Sequence, residues 1–270
     1  MVQAVGGQGK IGVVATDAST RIGEAVSGLK RVNTQWYLEI NHFAKHTAWA
    51  HGFMAFYAHF GGLALLAILL LAAWWVSRYA IDPARSVARV LWAAGGTVVA
   101  WGIAHYGMKP LLGEVRPYWV LKHVEVLVAK THGYAFPSGH ATIAGAVIAG
   151  MWITRKRLIA WITTAAGLFL CFDRIYVGAH YPFDVVGGVI FGALFVWIFS
   201  IPGIAILNRF DAFLMQKTPF APLVAGHKSG SDHSGSDHDQ QRQSLPTSRL
   251  SQSPKLVSCA PLLRPWLYEI

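Results

Sequence analysis

The chain alternates long apolar runs with short polar breaks. A helix that crosses a membrane needs about 20 mostly apolar residues. Residues 52–76 hold no Asp, Glu, Lys or Arg and include the unbroken apolar run 63–76. Residues 90–108 form a second run. Residues 139–153 and 158–173 are shorter, and the basic cluster Arg155, Lys156 and Arg157 separates them. Residues 184–207 form the last, ending before Asn208 and Arg209. The pattern predicts five spans. The two short ones need site residues to lengthen them at one end, or neighbouring helices to shelter them.

The flanks follow a different pattern. Over residues 34–50, Trp36, Ile40, Phe43 and Thr47 recur at helical spacing, with Glu39, His42, Lys45 and His46 among them. This predicts an amphipathic helix, either lying at the membrane surface or packed on the bundle. Residues 1–32 are polar and Gly-rich, without the apolar centre of a signal peptide, and read as a flexible leader. From about residue 225 the composition turns to Ser, Asp, His, Gln and Pro, with a near repeat, Gly230-Ser231-Asp232-His233 then Gly235-Ser236-Asp237-His238. A solvated, disordered tail is the expectation there, ahead of a weak metal site. The predicted division is leader 1–32, membrane domain 33–210 and polar tail 211–270. The predicted class is all-α: a polytopic membrane helix bundle of about five transmembrane helices plus an N-terminal interfacial amphipathic helix.

Composition agrees. Of the 270 residues, 54% are hydrophobic and 13% charged, whereas a soluble domain carries about 25% charged residues. Disordered and fibrous classes are excluded, and a soluble globule is disfavoured. The net charge of +10 is not spread evenly. Arg78, Arg85 and Arg89 follow the first span; Arg155, Lys156 and Arg157 follow the third; Arg209 and Lys217 follow the fifth. Five spans put these on one side, and the positive-inside rule makes it cytoplasmic. No nucleic-acid partner is expected from charge arranged this way. Cys171 and Cys259 sit in unlike surroundings and form no disulfide framework or metal-ligand pattern.

The opposite side collects three polar groups: Lys109 with Arg116-Pro117, then Pro137-Ser138-Gly139-His140, then Arg174, His180 and Asp184. Three fixed cations suit an oxyanion, because Arg offers a planar fork to phosphate oxygens and Lys a point charge. Ser138 and Gly139 stand at a helix start, where free backbone N–H groups and the dipole favour an anion. His140 and His180 offer a nucleophile and a proton donor. Asp184 follows His180 by four residues, so a helix extending back through His180 would bring both to one face. Taken singly, each piece has a structural reading: snorkelling cations, a turn and cap, an interfacial histidine, or Asp184 as a helix cap. His105, His123 and His132 fit no pattern and read as structural or solvated.

Together, Lys109-x6-Arg116-Pro117, Pro137-Ser138-Gly139-His140 and Arg174-x5-His180-x3-Asp184 resemble the three-part signature of the type 2 phosphatidic acid phosphatase (PAP2) family, over roughly residues 34–210. One position departs: Asp173 stands where the family usually has Ser, and it is left outside the site. The resemblance implies a helical membrane enzyme that hydrolyses a lipid phosphate or diphosphate without metal or other cofactor. It implies that His180 attacks phosphorus and forms a phosphohistidine, that Asp184 orients it, and that His140 protonates the leaving oxygen. It implies that Lys109, Arg116, Ser138, Gly139 and Arg174 hold the phosphate.

Within the family, a short amphipathic segment before five spans resembles the bacterial undecaprenyl-diphosphate phosphatases. That implies a bacterial inner-membrane protein whose site faces the periplasm or exterior and whose partners are its lipid substrate and membrane lipids. A phosphatidic acid or phosphatidylglycerophosphate phosphatase is the runner-up. A vanadium haloperoxidase is disfavoured by the apolar spans. A non-enzymatic anion-binding protein is disfavoured because charge avoids the middles of the spans. The sequence leaves the oligomeric state open.

Overall fold

The computed structural model describes residues 9–217, with side chains from 21 to 209. Among the described residues ten α-helices run in order: α1 (Gly9–His46), α2 (His51–Phe56), α3 (Gly62–Ser77), α4 (Pro83–Gly102), α5 (Lys109–Leu112), α6 (Pro117–Val120), α7 (Gly139–Ile153), α8 (Arg157–Tyr176), α9 (Pro182–Ile198) and α10 (Ser200–Lys217). No strand occurs among the described residues. The all-α class stands, and the chain is a membrane protein. The residues expected as tail beyond 217 lie outside the described residues.

Among the described residues, three helical stretches are long and apolar enough to cross a membrane: Ala48–Ser77, Pro83–Val120 and Arg157–Tyr176. Two are built by joining helices through π-helical turns, Tyr57–Gly61 between α2 and α3 and Ile103–Met108 between α4 and α5. The second stretch begins seven residues before its apolar run. Asp82 caps it by accepting from Arg85 N at 3.1 Å, and Pro83 stands in its first turn. Hydropathy marks where lipid begins, not where helical hydrogen bonding begins. The expected short span 158–173 is lengthened by site residues, since α8 runs on through Arg174 to Tyr176.

α7 keeps its shortness, with 15 residues, about 22 Å at 1.5 Å per residue. Its neighbours compensate: α3, α4, α8 and α9 all pack on it, and Ala141, Ala144, Ala146 and Met151 are fully buried. α7 and α9 meet backbone to backbone. A Cβ on Gly145 would lie 2.2 Å from Val189 O, and one on Gly192 would lie 2.1 Å from Thr142 O. Small residues at a helix crossing allow this approach, as is usual inside membranes.

The expected span 184–207 is not one straight helix. α9 and the following helix, taken to Arg209, meet at 51° at Phe199. Pro202 has no N–H to donate, so it fits the first turn of a new helix better than the middle of an old one. The carbonyls freed at the break find other donors: Trp92 Nε1 bonds Val196 O at 3.0 Å, and Ser200 Oγ bonds Trp197 O at 2.7 Å. α10 then lies on α4, with Gly203 so near the Trp92 ring that a Cβ would sit 2.2 Å from it.

The amphipathic segment is longer than expected and takes the second of its two expected placements. α1 begins at Gly9, so the predicted boundary at 32/33 falls inside a continuous helix. Its C-terminal half is packed on the bundle against α8 and α9, with Tyr37 and Ala44 fully buried. That decides for a packed helix over residues 33–46. At the other end of the bundle, Arg78 lies over Trp74 and Trp75, 5.1 and 5.6 Å from the ring centroids. Aromatic and basic side chains gather in this way at a membrane interface.

Candidate active site

α7 starts, α8 ends and α9 starts at the same end of the bundle. This topology brings the three sequence blocks together. Lys109 opens α5 directly after a π-helical turn and is 7% exposed. Its Nζ donates to Tyr134 O at 2.7 Å and Ala135 O at 3.4 Å. Gly113, at φ +62°, reverses the chain after α5, a conformation that glycine adopts without strain. Ala135 N then donates to Glu114 O at 2.7 Å, and Arg116 Nε donates to Gly133 O at 2.9 Å. The first block is thereby pinned to the segment that leads into the second.

The second and third blocks are joined through their backbones. Ser138 N donates to Asp184 O at 3.0 Å. Gly188, one turn further along α9, permits this; a Cβ there would lie 2.7 Å from Ser138 O. Ser138 is the N-cap residue of α7, but its Oγ does not cap the helix. That hydroxyl is buried and has no hydrogen-bond partner among the described residues. Gly139 faces Trp101, whose Nε1 would be 3.3 Å from a Cβ at that position.

Arg174 is 6% exposed in the last turn of α8. Its Nη1 donates to Ala58 O at 3.0 Å, and its Nε has no partner among the described residues. Ala58 lies in the π-helical turn Tyr57–Gly61. Such turns free backbone groups from the regular ladder and recur at functional sites. Lys109, Arg116 and Arg174 share one design. Each is anchored by a backbone carbonyl and keeps further N–H donors for an anion.

His180 lies in the turn between α8 and α9, with Asp184 in the first turn of α9. Their side chains are 2% and 0% exposed, and Nδ1 stands 3.4 Å from Asp184 Oδ2. This is a long contact rather than a completed hydrogen bond, and such bonds commonly tighten once substrate is seated. The predicted route to this contact needs correcting. α9 starts at Pro182 and does not extend back through His180. The turn itself folds the imidazole over the carboxylate. The same Oδ2 accepts from Tyr181 N at 2.9 Å, so Asp184 also satisfies the N-cap backbone, and its capping and orienting readings coexist.

His180 titrates well below the ordinary imidazole value. Burial is the main cause, followed by the positive charges of Arg174, Arg116 and Lys109, and by His140. The structure brings the second and third blocks together through Ser138 N on Asp184 O and the His180–Asp184 contact, and the charges of the first block's Lys109 and Arg116 act on the same imidazole.

The other histidines divide. His105 stacks on Trp101 at 5.1 Å and so flanks the site. His132 stacks on Trp119 at 5.0 Å, and the backbone carbonyl of His123 accepts from Lys45 Nζ. Asp173 is fully buried beside Arg174, and neither carboxylate oxygen has a hydrogen-bond partner among the described residues. The sequence reading missed Trp101, the carbonyls of Ala58, Gly133, Tyr134 and Ala135, and the contacts made by α1. Backbone acceptors carry no sequence signal, and Trp101 reads simply as a residue of an apolar run. Among the described residues, no three His, Cys, Asp or Glu side chains are grouped to hold a metal ion.

Residues 90–202 match the PAP2 superfamily. Over 193 residues, the chain is 30% identical to the undecaprenyl-diphosphatase BcrC of Bacillus subtilis, covering 72% of this chain and 90% of that protein. The chain belongs to the PAP2 superfamily. It is a membrane-embedded phosphatase of that family. It is also 35% identical over 126 residues to a lipid A 1-phosphatase of Rhizobium johnstonii, covering 43% of this chain and 51% of that one. Among solved structures, Aquifex aeolicus LpxE is similar, at 22% identity and a TM-score of 0.46, over 63% of this chain and 95% of its own.

Proposed function

We propose that this phosphatase hydrolyses a polyprenyl diphosphate, undecaprenyl diphosphate in particular, to the monophosphate through a phosphohistidine at His180. The observation that carries the chemistry is the buried His180–Asp184 pair, 3.4 Å apart, within reach of three cations. With Nδ1 turned to the carboxylate, Nε2 is the nitrogen left to attack. Nε2 forms a bond to the terminal phosphorus, and the bond from phosphorus to the bridging oxygen breaks. His140 gives a proton to that oxygen. Lys109, Arg116, Arg174, Ser138 Oγ and the N–H groups opening α7 at Gly139 stabilise the charge on the phosphoryl oxygens. Water then attacks the phosphohistidine, His140 takes its proton, and inorganic phosphate leaves with Nε2 restored.

A lipid substrate is supported by an apolar groove of about 320 Å³, whose walls include Leu63, Leu66 and Leu70 of α3, Thr97 and Trp101 of α4 and Ile143 of α7. The volume falls within the range of about 300–1,000 Å³ usual for ligand sites. Trp101 lines the groove and also stands against Gly139, so a chain leaving the phosphate site has an apolar path. The diphosphate reading is supported by the similarity to BcrC along most of both chains. A lipid monophosphate such as phosphatidic acid or phosphatidylglycerophosphate is the second reading, supported by the similarity to a lipid A 1-phosphatase. The catalytic part of this reading is residues 33–210, between a leader at 1–32 and a tail at 211–270, although α1 runs across the first boundary without a break. The site faces the exterior of a bacterial inner membrane.

The test is phosphate release by purified protein in detergent with EDTA, with undecaprenyl diphosphate and phosphatidic acid compared side by side. Activity should persist in EDTA, be inhibited by vanadate and favour the diphosphate. Equal or inverted preference overturns the substrate. Complete loss in EDTA with recovery on magnesium overturns the metal-independent mechanism.

A further inference from the structure

The family match covers residues 90–202 and so leaves out α1. Yet α1 touches the turn that carries His180 on both sides of it, at Gly178, Tyr181 and Phe183. Asn33, Tyr37, Asn41 and Ala44 form one stripe at helical spacing, with exposures of 7%, 0%, 2% and 0%. Two buried asparagines on a surface helix are unusual, because a buried amide is costly unless its hydrogen bonds are made. Here they are made, and the partners lie on the catalytic turn or behind it.

Asn33 Oδ1 accepts from Phe183 N at 3.0 Å, taking up an N–H at the start of α9 that has no partner within that helix. Tyr37 Oη donates to Gly178 O at 3.3 Å, and its ring packs on Tyr181 at 5.3 Å. Asn41 holds Glu125 from both sides: Nδ2 donates to Glu125 O at 2.7 Å, and Oδ1 accepts from Glu125 N at 2.9 Å. Glu125 O in turn backs Gly178, where a Cβ would lie only 2.4 Å away. Gly178 stands at φ +78°, where a side chain would be strained. Residues 178, 181 and 183 are thus all fixed from α1 or from the strap that α1 holds. His180 stands between them with no hydrogen bond of its own at Nδ1.

We propose that α1 is a brace for catalysis and that Asn33 and Tyr37 are positioning residues, with Asn41 securing the strap behind the turn. They touch no substrate. They hold the 178–183 turn so that Nε2 of His180 stays in line with the phosphorus. The proposal rests on His180 as nucleophile. Displacing a nucleophile by about 1 Å can cost about a hundredfold in rate, and the phosphate-binding cations sit on other elements and keep their grip.

The experiment measures turnover of p-nitrophenyl phosphate by the full chain in detergent, for Tyr37→Phe, Asn33→Ala and their double variant, with Asn33→Asp as the variant that keeps the acceptor. A brace predicts a fall of tenfold or more in kcat for the double variant, with KM within about twofold and the melting temperature held. Asn33→Asp should recover most of the single-site loss. The same two substitutions are then placed in a His180→Gly background, where added imidazole replaces the nucleophile. There they should cost nothing further, because the turn no longer carries the attacking atom. An unchanged kcat in the double variant overturns the brace. So does a loss that comes with a matching drop in melting temperature, or one that persists in full with imidazole. If His180→Ala alone keeps wild-type turnover, the nucleophile reading fails instead, whatever the α1 variants do.

Discussion

His180 and His140 are both imidazoles at one end of a helix bundle, and the proposed mechanism gives them different work. His180 is buried against a carboxylate, while His140 sits in the first turn of α7, partly exposed. His180→Ala should lower phosphate release by several orders of magnitude while the protein stays folded and inserted. Retention of a tenth of wild-type activity, a barrier change of only about 1.4 kcal/mol, would remove His180 from the nucleophile's role. His140→Ala should lose much less on aryl phosphates, whose leaving groups need no proton, than on lipid substrates. An equal loss on both removes the general acid. With His180 as the proposed nucleophile, its lowered pKa should set the acid side of the pH dependence. Its neutral form persists below the ordinary value of 6.5, so the acid limb of kcat/KM lies below that pH. Arg116→Gln takes away one of the charges that depress it, so the limb should move upward; a downward move contradicts the electrostatic assignment. Stability follows the same sign. Below pH 6.5 the unfolded chain takes up a proton that the buried imidazole refuses, so the contribution is lost as pH falls.

Elements meet at this site because some of them lack side chains where they cross. Gly145, Gly188 and Gly192 let α7 and α9 touch backbone to backbone, and that contact delivers Ser138 N to Asp184 O. Gly192→Val should separate the two helices, since its Cβ meets the carbonyl of Thr142 and no side chain can yield. Overpacking of this kind costs about 1–3 kcal/mol. The melting temperature in detergent should fall and activity should fall with it, because the two phosphate-site helices part. A variant with wild-type activity and melting temperature would show that the crossing tolerates a wider spacing. The amphipathic pattern in residues 34–50 was legible as a helix. Its burial against α8 and α9 was not, because Asn33 and Asn41 look like solvent-facing residues until their partners are known. The break at Phe199 was equally hidden inside an apolar run, although Pro202 marked the place.

At the scale of the molecule, the proposed orientation rests on charge and on the parity of the spans. Arg155 and Lys156 stand between α7 and α8 and Arg157 opens α8, at the end away from the site, while Lys122 lies in the segment between α6 and α7. Both Lys122 and Arg157 are exposed. Lys122→Cys and Arg157→Cys, each made in a Cys171→Ala, Cys259→Ser background, should respond differently to an impermeant thiol reagent on intact cells. Labelling is expected at 122 and not at 157. The reverse would put the site in the cytoplasm and withdraw the exterior-facing reading.

The order of apolar runs, the three polar blocks and the spacing inside each were readable from the sequence alone, because spans need length and a phosphate site needs particular residue types. So was the expectation that Lys109, Arg116, Ser138, Gly139, His140, Arg174, His180 and Asp184 belong together. The tertiary structure decided how. It set His180 against Asp184 through a turn rather than a shared helix face. It anchored each cation on a backbone carbonyl, and it laid α1 over the turn that carries His180. The physical reason is common to all three. Backbone carbonyls, close helix crossings and long-range hydrogen bonds depend on where distant segments meet, and a linear pattern of side chains does not encode them.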